Sequence, residues 1–315
     1  MKMLCIGDLV ADLVVPISEL PLHPEKHQLA NDCLFVAGGT SNTLIVAARL
    51  GLETYAVGAV GDDWLGKLVL KQLCDENVYI KYVQIVSGAS TTISIELVDT
   101  NVQHVFVGTL GKGSVVDLSI DLDTILSGIE AVFCTSYALG GHSLFSSSSS
   151  LDIFKYTHKC GILTFFDLGP AAFSIDKDII EQAIKASTVV LTTMEEISIW
   201  TGSNDKIQAA KEILSLGAEI VVIKCGSEGC VIISSEDEII LDGFEVVVRD
   251  SAGAGDAFAG VFIFGYLSKY SLTESGIIAN VTGAITVIRV CTGPYVPQRA
   301  EIFDMLNFHG ITVGE

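Results

Sequence analysis

The sequence predicts an α/β fold, with a mostly parallel sheet flanked by helices and a smaller sheet projecting from it. Three observations carry that prediction. Short apolar, β-branched runs alternate with helix-compatible segments along most of the 315 residues. Thirty glycines against six prolines favour tight turns between such elements. The stretch around Arg249 to Gly260 reads as strand, turn and helix start. The β-forming run Phe244 to Val248 stops at an acid, crosses Ser251-Ala252-Gly253-Ala254-Gly255-Asp256, and resumes as an apolar, helix-compatible run from Ala257 to Leu267.

Composition bounds the function classes. At 50% hydrophobic content a chain of this length can bury one large core, so a single domain with a small appendage is expected. Lys and Arg number 18 against 38 acidic residues, a formal net charge of −20. With no basic run, this argues against nucleic-acid or anionic-membrane binding. The eight cysteines form no CxxC pair, which disfavours zinc, and most sit in apolar runs, as buried thiols of a reducing compartment do. At the N-terminus Asp8 breaks the apolar run before it reaches signal-peptide length, and no segment nears the ~20 uninterrupted apolar residues of a membrane span, so a cytoplasmic protein is expected.

In chain order, Met3 to Ile6 is a short buried strand ending at Gly7-Asp8, with Asp12 on the next extended segment. Both acids lie where a parallel sheet places its ligands, beyond strand C-termini; Asp8 is equally readable as an Asx turn. Ala37-Gly38-Gly39-Thr40-Ser41-Asn42 then opens a helix from Thr43 to Leu50 that closes at Gly51. Ser41 or Asn42 reads first as an N-cap. The functional alternative gives the glycines to close backbone approach and Asn42 to a polyol.

After the strand Thr54 to Val60, Gly61 to Lys67 imitates a Walker A loop. Leu68 stands where a Mg²⁺-binding hydroxyl is needed, and Asp62 and Asp63 would put negative charge inside a phosphate cradle. The segment therefore reads as a capped helix from Asp63 to about Glu76, with Lys67 solvated. Segments Lys81–Val86, Thr91–Val98 and Gln103–Val107 form a cluster of β-like runs, the candidate projecting sheet and lid, with His104 read as a surface residue.

Alternation then becomes regular. Strands at Ala131–Thr135, Ile162–Asp167 and Thr188–Thr192 are separated by helices at Leu144–His158 and Asp178–Ala186. Met194–Trp200 is a helix whose Glu195 and Glu196 suit its N-terminal dipole. Ile220–Lys224 and Cys230–Ser234 flank the turn Cys225-Gly226-Ser227-Glu228-Gly229, and a last apolar helix, Ser275 to Val290, carries Asn280. No repeat or long linker divides the chain.

Two nucleotide chemistries compete for Gly253 to Gly260. A dinucleotide fingerprint fails because Phe258 holds the third glycine's place, the turn comes late in the chain, and Asp256 would face a pyrophosphate. Phosphoryl transfer explains more. The N–H groups of Gly253, Ala254 and Gly255 with the helix dipole would hold the transferring group, and Asp256 would take the acceptor hydroxyl's proton. With no Lys or Arg in the loop, the rest of the positive field falls to Mg²⁺.

These residues, together with Gly38-Gly39…Asn42 and Lys224-Cys225-Gly226-Ser227-Glu228-Gly229, resemble the PfkB or ribokinase-like carbohydrate kinases. The resemblance runs in order from Gly7…Asp12 through Gly58…Gly66 to Asn280 and Gly293-Pro294. It implies a three-layer α/β/α sandwich with a mostly parallel central sheet and a β-lid, built from segments within about 13–36 and 81–108 of a single domain spanning 1–315. Many such kinases dimerise through the lid. The resemblance makes Asp256 the base and Gly253 to Gly255 the anion hole. Asp12, Gly38, Gly39 and Asn42 become acceptor contacts, while Lys224, Gly226, Ser227, Gly229 and Asn280 line the ATP site. Glu196 is implied to organise Mg²⁺ through water, and Asp250 and Ser251 an alkali cation such as K⁺. Two departures stand out: the family's N-x-x-E reads Thr193-Met194-Glu195-Glu196, and the diglycine lies one residue nearer Asn42 than in most members.

The acceptor is constrained mainly by charge. From Asp8 to Asn42 only Lys26, His23 and His27 are cationic or titratable to a cation, too few for a phosphorylated acceptor. A neutral sugar with vicinal hydroxyls is expected. The alternatives are a nucleoside kinase of the same family or a sugar-sensing relative that has lost turnover.

Overall fold

The computed structural model describes residues 1–109, 121–139, 147–290 and 292–314. Its centre is a nine-stranded sheet. β1 (Lys2–Ile6) lies between β4 (Glu53–Gly61) and β8 (Ala131–Thr135), parallel to both. Beyond β8 follow β9 (Leu163–Asp167), β10 (Val189–Thr193) and β11 (Ile220–Lys224), all parallel. β12 (Cys230–Ser234) and β13 (Glu238–Leu241) close that edge as an antiparallel pair. The other edge is β5 (Tyr79–Val86), parallel to β4.

Helices cover both faces, because successive strand residues point to opposite sides and both sides are apolar. Met3 and Cys5 of β1 join one core and Leu4 and Ile6 the other. The first core is packed by α1 (Ser41–Leu50), α2 (Trp64–Asp75), α8 (Ala254–Leu267), α9 (Leu272–Val287) and α10 (Arg299–Phe308). The second is packed by α3 (Leu122–Leu126), α4 (Ser147–Lys159), α5 (Lys177–Lys185), α6 (Met194–Thr201) and α7 (Lys206–Ser215). The chain is thus the expected three-layer sandwich. Strand order reverses at β1, so the crevice beyond its C-terminal end is where such a sheet binds ligands.

A separate four-stranded sheet is ordered β3 (Leu34–Gly39), β2 (Leu9–Pro16), β6 (Ile93–Val98), β7 (His104–Thr109). The run Lys81–Val86, expected in this small sheet, belongs instead to β5 of the main one. It follows α2 as a crossover from β4, which returns the strand parallel and adjacent, and Tyr79 stacks on Tyr55 of β4 at 4.8 Å. The β-forming run Phe244 to Val248 is not a strand either. Past β13 it pairs with no strand among the described residues; Phe244 packs against the core while Val247 is left 81% exposed.

The Walker-like segment is the capped helix α2, with the Asp63 carboxylate accepting from the Gly66 N–H at 2.8 Å and from Thr91. The helix expected from Leu144 is described from Ser147; residues 144–146, and Cys291, lie outside the described residues. Of the seven described cysteines, Cys5, Cys134 and Cys230 are buried, while Cys33, Cys74 and Cys160 are exposed, fewer buried than their apolar settings imply. No helix among the described residues is long and apolar enough to cross a membrane.

Candidate active site

The glycine turn before α8 follows an irregular segment rather than a strand, and lies beside Lys224 at the C-terminal end of β11. Gly253 is the N-cap of α8 with φ +70°, and no side chain caps it. A left-handed backbone here suits glycine, and an added Cβ would meet Thr292 Cγ2 at 2.9 Å. Uncapped N–H groups of the first turn and the helix dipole together favour an anion. Ala254 N–H makes a long bond to Ser251 O at 3.4 Å.

Asp256 stands in that first turn. Its Oδ2 accepts from Asn42 Nδ2 at 2.9 Å, and its carbonyl accepts from Thr43 Oγ1 at 3.1 Å. Asn42 is therefore not the N-cap of α1, a position that Thr40 holds without a side-chain capping bond, its Oγ1 donating instead to Asp8 O at 2.8 Å. The Asn42 amide bridges Asp256 to Gly293, whose N–H donates to Asn42 Oδ1 at 2.6 Å. That pairing orients the amide so that it donates to the carboxylate and leaves it an acceptor for a hydroxyl proton. Burial raises the carboxyl of Asp256 above its ordinary range, while the Asn42 amide and the Lys224 ammonium hold it down.

Lys224 ends β11 beside the turn, its Nζ 3.3 Å from where a Cβ on Gly255 would stand. It pairs with Asp167 Oδ2 at 2.7 Å, both side chains nearly buried. Burial pushes Asp167 up to about 6, against the pull of Lys224. Burial alone would lower Lys224, but Asp167, Glu196 and Asp256 outweigh it and keep it an ammonium. The turn thus has a cation after all, supplied by a neighbouring strand.

Asp8 and Asp12 close the floor on the side of the small sheet. Asp12 Oδ2 accepts from Thr292 Oγ1 at 3.0 Å and packs on Gly38, where a Cβ would fall 1.8 Å from the same oxygen. Gly39, at φ +59°, lies against Asp8 in the same way. Burial raises both acids to about 7, and the nearby Asp256 carboxylate adds to it.

The remaining expected residues fall in two places. Thr193 caps α6: its Oγ1 accepts from Glu196 N–H at 3.2 Å, and Glu196 Oε2 accepts from Thr193 N–H at 2.8 Å. A hydroxyl does this as well as an amide, which accounts for threonine at the N-x-x-E position. Gly226, Ser227 and Gly229 form the turn between β11 and β12. Gly243 is packed so close that a Cβ on it would lie 2.3 Å from Ser227 O. Asn280 of α9 donates to Asp242 O at 3.2 Å, holding that second loop. Asp250 is buried and accepts from Ala252 N–H at 2.9 Å, whereas Ser251 is exposed.

Asp167 and Thr292 were not singled out from the sequence. Asp167 carried a usable signal, an acid at a strand C-terminus like Asp8. Thr292 carried none, since only folding brings it to Asp12.

Known proteins share the sequence pattern and the fold of this chain. The model of the pfkB family carbohydrate kinases matches residues 1–299. The chain is 25% identical to 5-dehydro-2-deoxygluconokinase of Bacillus thuringiensis (strain Al Hakam), covering 96% of this chain and 93% of that protein. Its fold is similar to Arabidopsis thaliana ribokinase complexed with ribose and ATP, with TM-score 0.81 at 23% identity over 98% and 99% of the two chains. It is similar also to Burkholderia thailandensis nucleoside kinase in complex with inosine, with TM-score 0.81 at 16% identity over 99% and 98%.

Proposed function

The chain belongs to the pfkB family of carbohydrate kinases and is an ATP-dependent sugar kinase; from that premise we propose that it phosphorylates a hydroxymethyl group of a small neutral sugar. The observation that carries the reading is the Asp256 carboxylate, held by Asn42 at 2.9 Å in the first turn of a helix whose N-terminus no side chain caps. A hydroxyl bound over Asp12, Gly38 and Gly39 meets Asp256 as proton acceptor. The phosphoryl group it attacks meets the N–H groups of Gly253 to Gly255 and the Lys224 ammonium. Proton removal and charge stabilisation then act on opposite sides of the forming O–P bond. Thr193 keeps Glu196 in place, which favours turnover over the sensing alternative.

ATP is assigned to the side of the turn bounded by Lys224, Gly226, Ser227, Gly229 and Asn280. Mg²⁺ entering with ATP fits Glu196. One Glu196 oxygen is committed to the capping box, so contact through water suits it, and the ion would supply positive charge to the phosphates.

The charge of the floor favours a neutral acceptor. Asp8, Asp12 and Asp256 crowd it, and Lys26 is engaged at the surface with Glu19 at 2.7 Å. Exposed Val105, Phe106 and Val107 on β7 support dimerisation through the lid, and free thiols support a cytoplasmic setting. The test is ADP release with Mg-ATP, with and without K⁺, across pentoses, hexoses, 5-dehydro-2-deoxygluconate and nucleosides. A neutral sugar is expected to give the highest kcat/KM. Preference for the sugar acid or a nucleoside overturns the acceptor reading, and a sugar that raises Tm without ADP release overturns turnover. Light scattering of the same preparation reports the dimer.

A further inference from the structure

The small sheet meets the body of the enzyme at a cluster that the proposed phosphoryl transfer does not use. Glu96, in the middle of β6, is 1% exposed, and its Oε1 has no hydrogen-bond partner. His104, the first residue of β7, turns inward with its Nδ1 buried and likewise unpartnered, its ring packed edge-on against Phe106 at 5.1 Å. Opposite them is Asp250, 1% exposed, immediately before the anion-binding turn. One ligand atom from each of the three lies within 4.8 Å of the others.

Orphaned acceptors buried this deeply are costly unless something binds them. Donor atoms sharing a tetrahedral or octahedral ion at about 2.0–2.2 Å stand roughly 3–4 Å apart, so small side-chain adjustments close the set. We propose that Glu96, His104 and Asp250 form a binding site for a divalent transition-metal ion of the zinc class, bridging the lid sheet to the turn that carries Asp256. An imidazole nitrogen with two carboxylate oxygens suits such an ion. K⁺ prefers all-oxygen sites, so His104 separates this site from the alkali-cation site expected at Asp250 and Ser251. A metal ion there cross-links β6 and β7 to the start of the catalytic turn.

The experiment is calorimetric titration of chelator-treated full-length protein with ZnCl₂, MnCl₂ and KCl in turn, with thermal unfolding of each mixture. Zn²⁺ is expected to bind one per chain and raise Tm. Both effects are expected to be lost in His104→Ala and in the near-isosteric Glu96→Gln, and kept in the surface variant His23→Ala. Asp256→Asn is expected to keep the Zn²⁺ site while losing kinase turnover, so the two readings fail separately. Unchanged Zn²⁺ binding in His104→Ala or Glu96→Gln, with native circular dichroism, overturns the proposal. So does a response to K⁺ that needs Glu96 but not His104.

Discussion

Asp256 shows how one side chain gains a role from its surroundings. A carboxylate among helix-start N–H groups repels phosphate, and Asn42 resolves the conflict by bonding one of its oxygens sideways. Asp256→Asn is expected to lower kcat by ~10²–10⁴-fold, the usual worth of a positioned base, while sugar binding measured by Tm shift persists. Near-parental kcat would remove Asp256 from the chemistry. Gly38 is fixed by contact rather than by dihedral angle, since its Cβ position is occupied by Asp12 Oδ2 at 1.8 Å. Gly38→Ala must displace that carboxylate, so kcat/KM for the acceptor is expected to fall ~10–100-fold with KM for ATP unchanged; equal losses on both substrates would contradict the assignment. Asp256 was legible because a carboxylate is odd at an anion-binding helix start, whereas Asn42 by itself reads as an ordinary N-cap and gains its role only beside the other motifs. Asp167 shows in the sequence only as an acid at a strand end, because its meaning rests on Lys224, 57 residues away.

Among the elements, α6 links local sequence to the site most directly. Its capping box ties Thr193 to Glu196 in both directions, so the threonine that departs from the family pattern is structurally complete. Thr193→Ala is expected to cost ~1 kcal/mol in urea unfolding, the ordinary worth of a cap, and to raise KM for Mg-ATP by freeing Glu196. Thr193→Asn should restore both, and a Thr193→Ala enzyme with parental KM would separate the cap from nucleotide binding. Local signals suffice where a cap marks a helix, as in α2, or where a short β-branched apolar run is bounded by turn residues, as in β11. They fail at Lys81–Val86 and Phe244–Val248 because β-forming residues state a preference for pairing without naming the partner. One run found β4; the other found no strand among the described residues.

At the scale of the whole molecule, folding gathers acids of the small sheet, the main sheet and α8 around one crevice. Asp8 titrates near 7 in the fold, against about 3.9 in an unfolded chain. Between those values the native state keeps a proton that the unfolded chain has released, so stability falls as pH rises from about 4 to 7. Asp8→Asn is expected to match the parent's stability in urea unfolding near pH 4 and to exceed it at pH 8, with a higher midpoint, by ~1 kcal/mol once water in the open crevice is counted. Equal midpoints at pH 8 would mean that Asp8 carries no such penalty. The sequence by itself determined the layered α/β fold and the glycine turn that starts α8, because hydrophobic period, turn glycines and helix-start chemistry act within a few residues. Only the tertiary structure decided which strand joins which sheet, that Lys224 supplies the turn's cation, and that Glu96, His104 and Asp250 meet. Such pairings join residues far apart in the chain, and no local preference encodes them.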